Sequence, residues 1–206
     1  MKLAILGATG GTGRELVRQA LERGHDVSAL ARDPSRLDLP EHPRLRRVRV
    51  DAKDPKSLRE ALDAETTLLS GLGVARGEQP GVLAAGARAA VAAQPARVIW
   101  LSGIGTGASA GAAGWATGLL LRLFMGKELP DKAAADTAVL QAAGTLFHPG
   151  PLSNGPASAK RRTVGLEALP ARFFPASVSR ATVAAAMLDE AESPHFVGRV
   201  AVPLER

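Results

Sequence analysis

Short runs of apolar residues alternate along this chain with segments in which apolar residues recur every three or four positions. An uninterrupted apolar run bounded by turn residues is typical of a strand that is buried on both faces. The predicted strands are residues 3–6, 27–31, 45–50, 66–70, 97–101, 145–148 and 198–202. A polar excursion without a clear period, residues 160–172, precedes the last helix and strand.

The segments between these runs have helical spacing. Residues 14–23 place their apolar side chains on one stripe, and Gly24 ends the helix. Asp54, which precedes a proline, caps a second helix, and Ser179 caps the last. The other predicted helices are residues 80–93, 119–125, 130–143 and 180–190. Strands that alternate with helices predict an α/β fold, a Rossmann-like doubly wound parallel sheet with helices on both faces.

Length and composition agree with a single domain. The chain has 206 residues, of which 46% are hydrophobic, which suits one α/β domain with a substantial core. We therefore assign residues 1–206 to one domain.

The turn that follows the first strand reads Gly-Ala-Thr-Gly-Gly-Thr-Gly at residues 7–13 and leads directly into a helix. In a strand–turn–helix unit, such glycines let the phosphates of a dinucleotide approach backbone N–H groups at the helix N-terminus. The alternative is a tight turn that only packs a helix on a sheet. The predicted pyrophosphate-binding residues are Gly7, Thr9, Gly10, Gly11, Thr12 and Gly13.

The end of the second strand bears on the choice of cofactor. NAD-selective folds usually have an acidic residue there, about twenty residues past the loop, to accept hydrogen bonds from the ribose. This chain has Arg32, with Arg36 close behind. A guanidinium suits a 2′-phosphate, which favours NADP(H) over NAD(H), although a solvated Arg32 is the alternative.

Other strand ends predict further parts of the same crevice. Asp51 and Ala52 follow the third strand, where Asp51 either meets the adenine or closes a turn. The remaining crevice residues predicted in this way are Gly71, Leu72, Gly73, Ser102, Pro149 and Gly150. Residues 104–118 are rich in Gly, Ala, Ser and Thr, which is typical of a mobile loop.

Composition excludes several kinds of site. The chain has no cysteine, hence no disulfide or thiolate metal site, and its four histidines lack metal-ligand spacing. A net charge of +6 invites nucleic-acid binding, but aromatic residues make up 3% and no DNA-binding motif is present. Residues 119–125 are too short to span a membrane, and we find no signal-peptide pattern. We expect a cytoplasmic monomer or homodimer that binds small molecules and no metal.

The chain resembles the atypical short-chain dehydrogenase/reductases with NmrA-like NAD(P)-binding domains, and among them the flavin reductase/biliverdin-IXβ reductase type. The resemblance covers nearly the whole chain and is most specific in its N-terminal part. The residues that carry it are 7–13, 31–37, Ser102, 131–136, 140–144, 148–152 and 178–184.

The resemblance implies hydride transfer from NADPH to a planar conjugated acceptor such as a flavin, a quinone or a tetrapyrrole-like molecule. By position, it implies that the glycine loop holds the pyrophosphate, Arg32 and Arg36 the 2′-phosphate, and Asp51 lies near the adenine. Gly71 and Leu72 would line the ribose side. Ser102 and residues 149–152 would lie near the nicotinamide.

The chain departs from the main branch of that superfamily because it has no tyrosine, so a Ser–Tyr–Lys acid/base group is excluded. If the reaction needs a proton donor, the candidates are Ser102, Lys132 and His148. Each has a structural alternative: a strand-end cap for Ser102, a solvated or helix-terminal side chain for Lys132, and a core histidine for His148. A non-catalytic NADP(H) sensor of the NmrA-like type remains the second functional hypothesis.

Overall fold

The computed structural model describes residues 1–74, 81–113, 126, 128–169 and 175–205. The predicted helix at 119–125 lies outside this part of the chain, as do residues 114–118 of the Gly/Ala-rich segment. The strands are β1 (Lys2–Leu6), β2 (Asp26–Ala31), β3 (Leu45–Arg49), β4 (Thr67–Ser70), β5 (Arg97–Leu101), β6 (Thr145–Phe147), β7 (Leu152–Ser153), β8 (Arg162–Gly165), β9 (Val178–Ser179) and β10 (Val200–Leu204). The helices are α1 (Gly11–Glu22), α2 (Pro55–Ala61), α3 (Val82–Ala92), α4 (Leu129–Gln141) and α5 (Arg180–Glu192).

Eight of the described strands form one sheet in the order β3-β2-β1-β4-β5-β6-β10-β8. All neighbours in it are parallel except β10 and β8. The strand order reverses direction between β1 and β4, so the loops at their carboxyl ends diverge and leave a crevice. The predicted doubly wound α/β fold is confirmed.

Helices cover both faces of this sheet because the strands are apolar on both faces. Leu3 and Ile5 of β1 point to a core shared with α1 and α5. Ala4 and Leu6 point to the opposite core, which contains side chains of α2, α3 and α4. Such burial on two faces explains why these strands read as continuous apolar runs.

The segment 160–172 differs from its predicted form. Arg162–Gly165 is strand β8, which pairs antiparallel with β10 at the sheet edge. Its side chains are only partly buried, as expected of an edge strand, and they therefore lack the apolar run that marks the central strands. The pair β7–β9, two residues each, was also too short to leave a pattern.

Two further differences concern the Gly/Ala-rich stretch and the start of α1. Within the Gly/Ala-rich stretch, Gly107–Ala113 is a 3-10 helix, where the composition predicted a mobile loop. Helix α1 begins at Gly11, inside the glycine-rich turn, three residues before the predicted start.

Ser179 caps α5 as predicted, since its hydroxyl accepts a hydrogen bond from the Thr182 N–H. Within the described part of the chain, no helix is long and apolar enough to cross a membrane.

Asp131 links two of the helices that flank the crevice. Gly81 precedes α3 and offers no capping side chain. The buried Asp131 carboxylate of α4 accepts instead from Leu83 N at 3.1 Å and Ala84 N at 2.9 Å. Replacing Asp131 with Ala leaves two buried N–H groups without that partner, so we expect a loss of about 2 kcal/mol in the free energy of unfolding. Urea denaturation measures this loss.

The matched control is Asp38→Ala, since Asp38 is exposed and caps no helix. It should change the free energy of unfolding by less than about 0.5 kcal/mol. Equal stability of the two variants would show that Asp131 does not serve as the α3 cap.

Candidate functional site

A cavity of about 510 Å³ opens at the carboxyl ends of β1, β4 and β5. This is the position at which open α/β sheets bind ligands. The predicted site residues that line it are Gly7, Thr9, Gly10, Gly11, Thr12, Arg32, Arg36, Gly71, Leu72, Gly73, Ser102, Lys132 and Leu152. Lining residues that the sequence did not predict are Val74, Leu83, Trp100, Leu101, Glu128, Ala135 and Arg180.

Two glycine turns meet at the floor of the cavity. Gly7 has φ +74°, and a Cβ on it would lie 3.0 Å from Leu72 N. A Cβ on Gly71 would in turn lie 3.0 Å from Gly13 N. The turns after β1 and β4 therefore touch through backbone alone, which leaves a smooth floor that a ligand can approach closely.

Gly13 has a different role from its neighbours. It does not line the cavity: a Cβ there would lie 2.1 Å from the Gly7 carbonyl oxygen, so its lack of a side chain lets α1 pack on the end of β1. This is the helix-packing glycine that dinucleotide-binding turns require. Gly10 precedes α1 and no side chain caps the helix, so the N–H groups of its first turn are free to bind an anion.

The charged side chains that line the cavity are mostly basic. The described lining includes four basic side chains and one acidic side chain. They are Arg32, Arg36, Lys132, Arg180 and Glu128. Asp33 lies beside this rim, and the Ser35 hydroxyl that donates to it at 2.6 Å is the main reason its pKa is lowered, with a contribution from Arg36. Together with the α1 N-terminus, this charge distribution suits a polyanionic ligand.

Arg180 is the functional candidate that sequence reasoning missed. Its aliphatic end lies over the glycine turn, because a Cβ on Gly11 would come within 2.8 Å of its Cδ. Its guanidinium donates to Asn154 Oδ1 at 2.9 Å and to the Ser153 carbonyl at 3.3 Å. The sequence offered one indication, its position just after the Ser179 cap. Helices often begin at the carboxyl ends of parallel strands, which is the edge of the sheet where the cavity lies.

Ser102 reaches the cavity from the end of β5. Its backbone N–H donates to the Phe147 carbonyl at 2.8 Å, which anchors it to β6. Its side chain is half-buried, with Oγ 3.2 Å from Thr106 Oγ1. The structure thus brings Ser102 and Lys132 to the same cavity as the glycine turn.

His148 does not reach the cavity. Its ring is fully buried, with Nδ1 2.6 Å from Ser109 Oγ and Nε2 3.3 Å from Asp136 Oδ2. Of its two predicted interpretations, proton donor and core histidine, this placement matches the core histidine. A proton from His148 would have to pass through intervening side chains to reach a ligand.

The remaining predicted site residues, Asp51, Ala52, Pro149 and Gly150, also lie outside the cavity lining. Asp51 Oδ1 accepts from Lys53 N at 3.0 Å, which is the turn-closing alternative for this residue. Gly150 packs against the following segment, since a Cβ on it would lie 2.1 Å from the Ala176 carbonyl oxygen.

Residues 7–194 match the family model described as NAD(P)H-binding. The chain belongs to this NAD(P)H-binding family. A nicotinamide dinucleotide is therefore its cofactor type, and the site fits that group: a side-chain-free turn, an uncapped helix N-terminus and a basic rim lie together in one cavity.

Solved structures share the fold of this NAD(P)H-binding chain. The anaerobillin reductase ChuY of Escherichia coli O157:H7 is 20% identical with a TM-score of 0.77, over 100% of this chain and 97% of that one. SP1627 of Streptococcus pneumoniae TIGR4, named as a candidate NADH-flavin reductase, is 18% identical with a TM-score of 0.75, over 100% of each chain. These likenesses establish the fold.

One curated relative matches a short segment. The 4-hydroxy-tetrahydrodipicolinate reductase of Natronomonas pharaonis is 59% identical over 32 residues. The match spans 16% of this chain and 13% of that reductase, so it says nothing about the substrate of the NAD(P)H-binding chain described here.

Proposed function

We propose that this chain is an NADPH-dependent oxidoreductase that transfers a hydride to a planar, conjugated small molecule such as a flavin, a quinone or a tetrapyrrole-like compound. The observation that carries the proposal is the single cavity that joins the uncapped α1 N-terminus and basic rim to the Ser102 end of β5. The names of the structural neighbours, an anaerobillin reductase and a candidate flavin reductase, support the same acceptor class.

Each part of a dinucleotide has a complementary group in this cavity. The first turn of α1 would hold the pyrophosphate, with the Arg180 guanidinium close to Gly11 of that turn. Arg32 and Arg36 would hold a 2′-phosphate through charge-assisted hydrogen bonds, which is why we propose NADPH over NADH. Gly71 and Leu72 would lie along the ribose.

The cavity also has apolar lining residues beside Ser102. When bound, the nicotinamide supplies the hydride, and the protein orients the two reactants and excludes water. These apolar lining residues are Trp100, Leu101 and Leu152. They would form the wall against which a flat acceptor packs. An apolar wall of this kind suits a conjugated ring better than a hydrated sugar or peptide.

The absence of tyrosine defines which acceptors we expect. Carbonyl reduction in the main branch of the superfamily depends on a tyrosine acid, whereas a flavin accepts hydride without an acid from the protein. We therefore expect NADPH to be oxidised when FMN, a naphthoquinone or biliverdin is added. We expect no oxidation with simple aldehydes or ketones, and absorbance of reduced nicotinamide measures both.

Controls without protein subtract the spontaneous reaction of NADPH with each acceptor. Turnover of simple carbonyl compounds at rates equal to those with FMN would contradict the assigned acceptor class. Tight NADPH binding with no turnover of any acceptor would instead favour an NADP(H) sensor.

A further inference from the structure

A line of hydrogen-bonding side chains leads from the cavity into the core. Ser102 Oγ lies 3.2 Å from Thr106 Oγ1, which lies 3.2 Å from Asp136 Oδ2. Thr106 and Asp136 are buried, with 4% and 1% of their surface exposed. Only Ser102 in this line faces the space in which a ligand would lie.

The direction of these hydrogen bonds follows from the number of protons available. Thr106 Oγ1 carries one hydrogen, and the Gly103 carbonyl oxygen is 2.7 Å away, closer than either of its other partners. A carbonyl oxygen can only accept, so the Thr106 proton goes to Gly103, its nearest partner. The contact between the two hydroxyls can then form only if Ser102 donates to Thr106.

The core holds Thr106 in this arrangement. His148 Nδ1 lies 2.6 Å from Ser109 Oγ on the 3-10 segment after β5, and its Nε2 lies 3.3 Å from Asp136 Oδ2 without forming a hydrogen bond. Gly107 has φ +45° and lies so close that a Cβ would be 2.9 Å from Asp136 Oδ2. Asp136 of α4 and His148, which follows β6, thus pack against the segment that carries Thr106.

We infer that Thr106 is a positioning residue that turns the Ser102 proton away from the cavity, so that Ser102 presents only lone pairs to the bound molecules. Ser102 then accepts a hydrogen bond and keeps its own proton, and we assign an N–H group of the ligand as the donor beside it. This inference rests on the proposed function for its ligands. The cofactor offers the carboxamide N–H of nicotinamide, and a flavin acceptor offers its imide N–H.

Binding of a cofactor pair tests the first donor. NADP⁺ carries a carboxamide, whereas its 3-acetylpyridine analogue keeps the carbonyl and lacks the N–H. With Ser102→Ala, we expect calorimetry to show about threefold to tenfold weaker binding of NADP⁺ and unchanged binding of the analogue. If Ser102 were instead the donor, both ligands would lose the same contact to their carbonyl and weaken equally.

A flavin pair tests the second donor in the same way. FMN and N3-methyl-FMN are titrated into wild-type protein and Ser102→Ala that are saturated with NADP⁺. A loss confined to the N–H member of either pair supports the inference and identifies the donor. Equal losses within a pair, or no loss in either pair, overturn it.

Variants of Thr106 test the positioning role itself. Thr106→Val removes the acceptor that holds the Ser102 proton, so the hydroxyl can turn toward the cavity, and preference for the N–H ligand over its analogue should shrink. Thr106→Ser keeps the hydroxyl and should keep the preference, which a general loss of stability would not reproduce. An unchanged preference in Thr106→Val contradicts the positioning role.

These measurements are separate from catalysis because they need binding and no turnover. A protein that binds NADP⁺ but oxidises no NADPH would fail the proposed function and still return a result for Ser102. A wild-type protein that binds neither ligand pair would overturn both.

Discussion

Replacing Arg32 with Glu is expected to weaken NADPH binding about tenfold to a hundredfold. The change removes charge-assisted hydrogen bonds to the 2′-phosphate and places a like charge beside it. NADH lacks that phosphate, so its affinity should change little. The dissociation constant for NADH divided by that for NADPH should therefore fall. Calorimetric titration of both cofactors into both proteins measures that ratio.

Arg46→Glu is the matched control for charge. Arg46 is an exposed arginine on β3 that lines a separate depression at the opposite end of the sheet, beside the start of β1. Its reversal should leave NADPH binding within about twofold, because exposed charges farther apart than a Debye length are screened. Equal weakening by the two variants would show that only net charge matters and would remove the argument for NADPH over NADH.

Gly13→Ala is expected to cost at least about 2 kcal/mol in the free energy of unfolding, and with it the cofactor site. The new Cβ would lie 2.1 Å from the Gly7 carbonyl oxygen and 2.9 Å from Ala8 Cα. Both atoms belong to backbone that cannot swing aside, so α1 must move off the end of β1. Urea denaturation and NADPH titration follow the two losses.

Two other glycines provide comparisons for this result. A Cβ on Gly111 would meet no atom within 4 Å, so this position should tolerate Ala within about 0.5 kcal/mol. Gly11→Ala meets only the flexible Arg180 side chain, so it should keep most of its stability while displacing that arginine. Wild-type stability of Gly13→Ala would contradict the packing role assigned to this residue.

Local patterns predicted the part of the molecule in which neighbours in sequence are neighbours in space. The unit of β1, glycine turn and α1 is contiguous, and its apolar run and helical stripe are formed by adjacent residues. The parallel sheet follows from alternation of strands and helices, since parallel neighbours need helical crossovers. Arg32 follows β2 directly, and carboxyl ends of parallel strands meet at one edge of the sheet. Its position in the cavity lining could therefore be predicted from the sequence.

Contacts between distant segments could not be predicted in this way. Arg180 reaches Gly11 across most of the sequence, and nothing near either residue marks the pairing. The link from Thr106 to Asp136 joins a segment of small residues to a helix whose buried acid looks like a surface residue in the sequence. Likewise, β8 is recognisable only from its pairing with β10.

The most direct test of the proposed hydride transfer is an anaerobic single-turnover experiment with FMN. Excess protein with bound NADPH is mixed with FMN, and the absorbances of reduced nicotinamide and of oxidised flavin are followed together, against a sample without protein. We predict that both absorbances fall at one protein-dependent rate, with one NADPH consumed per FMN. Bound NADPH that stays reduced in the presence of FMN would contradict this account and favour a sensor.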